Sequence, residues 1–166
     1  MILGIDPGLA NIGWAVLDRR SSIVDDREFN LIECGCLKTK IADSSAKRLG
    51  QIYDELERII KKFKIEEVAF ETLFFAKNVS SGMKVAEMIG VIKICGERNS
   101  LEVFGYTPLQ VKMALVGYGR ADKDQVETMV RNILNLEEGI SPSHASDAVA
   151  VAMTHLFTAR NLDISE

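Results

Sequence analysis

Asp6, Glu71, His144 and Asp147 are the residues of this chain best suited to chemistry. Asp6 closes one apolar run, Ile2-Leu3-Gly4-Ile5-Asp6-Pro7-Gly8, and Glu71 closes another, Val68-Ala69-Phe70-Glu71. His144 and Asp147 stand three apart in Ser143-His144-Ala145-Ser146-Asp147-Ala148, where a helix is expected to begin. A carboxylate held near a core costs several kcal/mol unless something pairs with it. No basic residue lies beside Asp6 or Glu71 in sequence. A divalent cation bound by all four side chains is the economical partner.

Carboxylates and an imidazole suit Mg²⁺, with Mn²⁺ also accepted. Two such ions about 3.5–4 Å apart can bind the attacking water and the leaving oxygen of a phosphodiester. Asp6, expected in mid-sheet, is the natural bridging ligand. His144 could hold metal or take the proton of the attacking water. Each residue also has a plainer reading. Asp6 could cap a turn, Glu71 could be an exposed strand-end acid, and Asp147 could complement a helix dipole. The joint pattern carries the weight. His155, among Met153, Leu156 and Phe157, reads as a packing or surface histidine and is left out of the site.

The elements that must position these groups follow from periodicity and turn chemistry. Residues 1–7, 11–18 and 30–38 read as three strands joined by short links, so antiparallel pairing is expected. Residues 45–63 read as an amphipathic helix, with Leu49, Ile52, Tyr53, Leu56, Ile59, Ile60 and Phe63 at three- and four-residue steps. A strand at 67–71, a helix at 79–98 and a strand at 101–105 follow. Thr107 is a good N-cap and Pro108 suits the first helical position, so a short helix starts there and breaks at Gly117 and Gly119. Helices at 122–134 and 143–159 complete the chain. The order βββαβαβααα is that of an α/β, RNase H-like fold: a five-stranded mixed sheet with helices on both faces. Residues 1–160 read as a single domain and 161–166 as a C-terminal tail.

The helix at 79–98 is apolar nearly all round, which requires burial on every side. Gly82, Ala86 and Gly90 form a row of small residues at four-residue steps, with Met83 beside it. One face is expected on the sheet and the other on a twin helix across a two-fold axis. The alternative is a central helix wrapped by its own chain.

Composition narrows the class. Apolar residues make up 47% and charged residues 27% of the 166, ordinary values for a globular domain. No apolar run reaches membrane-span length, and the first strand leaves no room for a signal peptide, so a cytoplasmic, non-membrane protein is expected. Cys34, Cys36 and Cys95 are an odd set, read as free, buried thiols. The net charge of −4 does not advertise a nucleic-acid binder, yet residues 74–131 carry eight Lys/Arg against six acids. A locally basic face on an acidic protein can still bind phosphates.

Several of these motifs together resemble RuvC-type Holliday-junction resolvases. They are Gly4-Ile5-Asp6-Pro7-Gly8 with Gly13-Trp14; Glu71-x-x-Phe74 with Lys77-Asn78; and Thr107-Pro108-x-x-Val111-Lys112. Gly117-x-Gly119-x-Ala121-x-Lys123-x-x-Val126 and His144-x-x-Asp147-Ala148 continue the series, which runs in order over roughly residues 1–158. The resemblance implies a homodimer that binds four-way DNA junctions in recombination and repair. It also implies paired, metal-dependent cuts, and a branch-migration motor as partner. It sets Asp6, Glu71, His144 and Asp147 on the catalytic positions, where some members have Asp in place of His144. It sets Phe74 on an aromatic that stacks on a base near the junction centre, a stack that can offset the cost of unpairing. Phe74 and Phe75 could equally be core residues. Lys112 and Lys123 fall on basic positions near the scissile phosphate, and Lys77 belongs to the same DNA-binding set.

One stretch departs from the pattern. Many relatives read Gly-Gln-Ala-Arg-Gly where this chain has Ala86-Glu87-Met88-Ile89-Gly90, so a basic residue is replaced and an acid appears. Two rival functions remain: an RNase H-like nuclease acting on RNA–DNA hybrids, and a non-catalytic junction-binding module. The second would have no reason to keep four metal ligands. A sugar-kinase or actin-like ATPase needs two lobes, which 166 residues do not supply.

Overall fold

The apolar runs fold into five strands and the periodic segments into five helices, in a computed structural model that describes residues 1–19, 30–72 and 79–163. The strands are β1 (Ile2–Asp6), β2 (Asn11–Asp18), β3 (Asn30–Lys38), β4 (Glu67–Glu71) and β5 (Glu102–Tyr106). The helices are α1 (Ser45–Phe63), α2 (Val79–Arg98), α3 (Pro108–Val116), α4 (Lys123–Ile133) and α5 (Ser143–Asp163). The order matches the reading of the sequence. β1 and α4 are each one residue shorter at both ends, β5 is shifted one residue onward, and α5 runs four residues past 159. Ala159, Arg160 and Leu162 are good helix formers and give that last turn no reason to stop.

The sheet order is β3-β2-β1-β4-β5. The short links make β1–β2 and β2–β3 antiparallel, and the helical crossovers make β1–β4 and β4–β5 parallel. β1 is therefore the central strand. Side-chain alternation divides the core in two. Leu3, Ile5, Val68 and Phe70 pack with Ile52, Leu56 and Ile59 of α1 and with Met88 and Ile92 of α2. Ile2, Ala15, Leu17 and Ala69 pack beneath α5, with Val111 and Leu115 of α3 and Val130 of α4 on the same side. Caps set by the sequence start three helices: Ser44, Thr107 and Asp122 each accept from a backbone N–H, and the last two close capping boxes with Gln110 and Gln125.

α5 lies close on the sheet because glycines stand beneath it. A Cβ on Gly4 would meet the Ala148 carbonyl and come within 2.7 Å of the Ala152 Cβ. A Cβ on Gly13 would collide with the His144 carbonyl and come within 3.2 Å of the Ala145 nitrogen. No larger residue at either position allows the start of α5 to reach β1 and β2.

One expectation about burial needs correction, and the second face of α2 is open in the single chain. Cys34 and Cys36 are only half-buried, because β3 is an edge strand, whereas Cys95 is buried. α2 buries Met88, Ile92 and Cys95 but leaves Met83 65% and Ile94 56% exposed. The helix is not wrapped by its own chain on that side, and a Cβ on Gly82 or Gly90 would meet nothing within 4 Å. Among the described residues no helix is long and apolar enough to cross a membrane.

Candidate active site

Ile5 pairs with Phe70 across parallel β1 and β4, so Asp6 and Glu71 occupy the next step at the carboxyl ends of neighbouring strands. Alternation turns both toward the α5 face, as it does Gly4 and Ala69. α5 begins over Gly13, which is the β2 partner of Asp6. Its first turns bring His144 and Asp147, one helical step apart, down onto Asp6. Ligand atoms of Asp6, His144 and Asp147 lie within 4.8 Å of one another. Glu71 lies outside that radius but lines the same recess. A cavity of about 230 Å³ is walled by Glu71, Lys112, Lys123, Val126 and Asp147.

The contacts within the cluster are specific. A ring nitrogen of His144, Nδ1, lies 2.7 Å from Asp6 Oδ2. Lys123 Nζ donates to Asp147 Oδ2 at 2.6 Å. Lys123 is the first residue of α4, held there by the Asp122 cap, and Lys112 comes from α3. The Gly117 cap, with φ 72°, ends α3 and turns the chain toward α4. Two short capped helices thus present two lysines to an acidic edge. The Lys123–Asp147 pair spans 24 positions, which is why no basic neighbour was visible from the sequence alone.

Electrostatics mark the edge as poised for a cation. Burial pushes the Glu71 carboxyl up to about 7, with the charges of Asp6 and Asp147 adding to the rise. Burial also pushes Asp6 above its ordinary range; the His144 hydrogen bond opposes the shift and the Asp147 charge adds to it. The donor set, three carboxylates and an imidazole open to the recess, suits a hard divalent cation of the Mg²⁺ or Mn²⁺ kind.

Residues proposed from the sequence fall into three groups. Asp6, His144 and Asp147 converge, and Glu71, Lys112 and Lys123 border them. Gly82, Met83, Ala86 and Gly90 lie on α2, away from the helix face that packs on the sheet. Phe74 and Lys77 lie outside the described residues. His155 is 2% exposed and packs in the core, its ring nitrogens 2.7 Å from the Tyr106 hydroxyl and 3.2 Å from Glu67.

One supporting element escaped the sequence reading. Arg48 is buried on α1, one turn before Ile52 on the same apolar stripe. Its Nη2 donates to the Leu9 carbonyl at 2.9 Å and its Nε to Thr39 Oγ1 at 2.8 Å. Thr39 donates its hydroxyl to the same Leu9 carbonyl at 2.6 Å and its backbone N–H to Ala10 at 3.1 Å. The loop after β3 is thereby bolted to the turn that follows Asp6. An arginine standing on the apolar stripe of an otherwise regular amphipathic helix was the available signal.

Comparison with known proteins bears on this site. The family model described as crossover junction endodeoxyribonuclease RuvC matches residues 2–155. The crossover junction endodeoxyribonuclease RuvC of Finegoldia magna is 43% identical over 156 residues, covering 94% of this chain and 92% of that protein. The structure of Thermus thermophilus RuvC superposes with a TM-score of 0.88 at 34% identity, over 96% of this chain and 95% of the other. The same protein in complex with a Holliday junction substrate gives a TM-score of 0.88, covering 96% of this chain and 94% of that one.

Proposed function

The chain belongs to the RuvC family of crossover junction endodeoxyribonucleases, and from that premise we propose that it resolves four-way DNA junctions by paired, metal-dependent phosphodiester hydrolysis. The observation that carries this reading is the convergence of Asp6, His144 and Asp147, with Glu71 alongside, beneath two lysines. Acids alone would bind a cation; acids with facing lysines suit a cation and a phosphate together.

Asp6, Glu71, His144 and Asp147 are the residues to hold Mg²⁺, two ions per site, with Mn²⁺ accepted. When bound, such a pair of ions supplies an activated water on one side of the phosphorus and charge stabilisation of the leaving oxygen on the other. Asp6, in mid-sheet between Glu71 and the start of α5, would be a shared ligand of the metal centre. His144 approaches Asp6 through Nδ1, which leaves Nε2 for a ligand or for the proton of the attacking water. Lys112 and Lys123 offset the charge that builds on the phosphate. Lys123 already rests on Asp147 and needs only a side-chain rotation to reach a phosphate beside it.

Paired cuts need two such sites. The open face of α2, with Met83 and Ile94 exposed around Gly82, Ala86 and Gly90, supports a homodimer in which two helices pack closely across a two-fold axis.

The test is a synthetic four-way junction incubated with the protein and with its Asp6→Asn variant in Mg²⁺ or Mn²⁺. Symmetric paired nicks by the parent, with binding but no cutting by the variant, are expected. Cutting of an RNA–DNA hybrid in preference to the junction would move the substrate class, and binding without cutting in either metal would leave a recognition module.

A further inference from the structure

The basic residues so far assigned to DNA lie on one side of Asp6, toward β4 and β5. The other side of the same edge carries lysines of its own. Lys38 ends β3 and Lys40 follows it, on either side of Thr39. Asp6 pairs with Gly13, and Gly13 with Cys36. Cys36 therefore stands level with Asp6 two strands away, and Lys38, two residues on, faces the same side of the sheet as Asp6.

Strand spacing and rise set the separation. Two spacings of about 4.8 Å and two residues of about 3.3 Å give roughly 12 Å between the Cα atoms of Asp6 and Lys38. One strand of duplex DNA presents a phosphate about every 3.4 Å along the axis, so roughly 12 Å is about three to four base pairs.

Both side chains are exposed, and among the described residues neither is engaged in an ion pair. Their neighbour Lys47, by contrast, is paired with Asp43 at 2.8 Å. The segment that carries them is not loose. Thr39, between them, is fastened to the Leu9–Ala10 turn, and buried Arg48 fastens both. Two exposed cations, Lys40 also feeling the charge of Asp43, are thus held at a fixed offset from the metal ligands by the hydrogen bonds that anchor the turn after Asp6.

We propose that Lys38 and Lys40 bind backbone phosphates of a junction arm about three to four base pairs from the scissile phosphate, on the side of Asp6 opposite Lys112 and Lys123. The occupant is a DNA backbone, for two reasons. The surface continues the edge that holds the metal ligands, and its charge is complementary without base-reading side chains between the lysines. Phosphate contacts of this kind fix register and orientation and carry no sequence information. The inference rests on the junction-binding reading above.

The experiment measures binding of a four-way junction by the cleavage-silent Asp6→Asn protein as a function of salt, alone and with Lys38→Gln and Lys40→Gln together. Each lost phosphate contact lowers the slope of log K against log salt by about 0.9, so the double change, two contacts in each protomer of the dimer, should lower it by about 3.6. Between 50 and 200 mM salt, the double variant should lose on the order of a hundredfold less affinity than its parent. Lys64→Gln, at the far end of α1, should leave the slope unchanged. Circular dichroism checks the fold of each variant. An unaltered slope in a folded double variant overturns the proposal, as does an equal drop for Lys64→Gln. Failure of the Asp6→Asn parent itself to bind a junction would instead overturn the functional reading on which the proposal stands.

Discussion

Glu71 should make the metal-free protein less stable as pH rises, and removing its charge should stabilise the protein while abolishing its activity. The carboxyl titrates at about 7 in the folded chain, against 4.5 when unperturbed. Between those values the folded state holds a proton that the unfolded state has lost, so unfolding free energy falls with increasing pH. The stabilisation is fully present below about pH 4.5 and is gone above about pH 7. At 1.36 kcal/mol per unit, the shift corresponds to about 3 kcal/mol. For a chain of this length that is roughly 6–12 °C in melting temperature. The assay is thermal unfolding from pH 5 to 8.5, in chelator and in Mg²⁺, for the parent and Glu71→Gln. In chelator the two should melt together near pH 5 and diverge to about 3 kcal/mol by pH 8, the variant being the more stable. Asp6 moves both proteins in the same direction, so the difference between them reports Glu71 together with its coupling to Asp6. Magnesium at a hundred times its dissociation constant adds about 2.7 kcal/mol to whichever form binds it, and the gap should close. Parallel curves in chelator would refute the claim that burial and neighbouring carboxylates strain this site.

Gly13→Ala should lower stability by about 1–3 kcal/mol by forcing α5 off the sheet, and junction cleavage about a hundredfold if His144 and Asp147 move by an ångström. Gly50→Ala, with no atom within 4 Å of the new Cβ, is the control and should gain stability. Arg48→Met removes two charge-assisted hydrogen bonds, one to the Leu9 carbonyl in the turn after Asp6 and one to Thr39 after β3. A loss of about 2–4 kcal/mol in denaturant unfolding is expected. Met83→Glu, on a side chain 65% exposed in the single chain, should leave the monomer's fold intact while sedimentation shows the dimer dissociating. A folded variant that remains dimeric would remove α2 from the interface.

Strands and helices were legible because their signals are local. The period of residues 45–63, the Thr107-Pro108 start and the Gly117 stop each rest on a few neighbouring residues, and the elements appear where those residues put them. The central position of Asp6 and its proximity to Glu71 were legible too, because β1 and β4 each end in an acid and a helical crossover makes them parallel. What was hidden depends on pairs distant in sequence. Lys123 reaches Asp147 across 24 positions, and Arg48 reaches Leu9 across 39. The half-exposure of Cys34 and Cys36 depends on which strand becomes the edge, which their own alternation does not say. For α2 the sequence shows an apolar surface and one chain shows that it stays open; only a second copy can say what covers it.

The hidden pairs share a consequence. A carboxylate cluster at a strand edge repels itself, and a chain folding without metal must hold it together by other means. The geometry answers with a different clamp for each member. His144 is drawn to Asp6 by a hydrogen bond, Asp147 is held by Lys123, and the turn after Asp6 is anchored by Arg48. Glu71 has no such clamp among the described contacts and is the member pushed furthest, to about 7. These clamps oppose the mutual repulsion of the carboxylates, which limits the reorganisation that cation binding requires. The group left under strain is also the one whose interaction with the cation differs most between the metal-free and loaded states. Proteins commonly keep such local instability where activity needs it. In this chain it should be measurable as a carboxylate whose removal stabilises the fold.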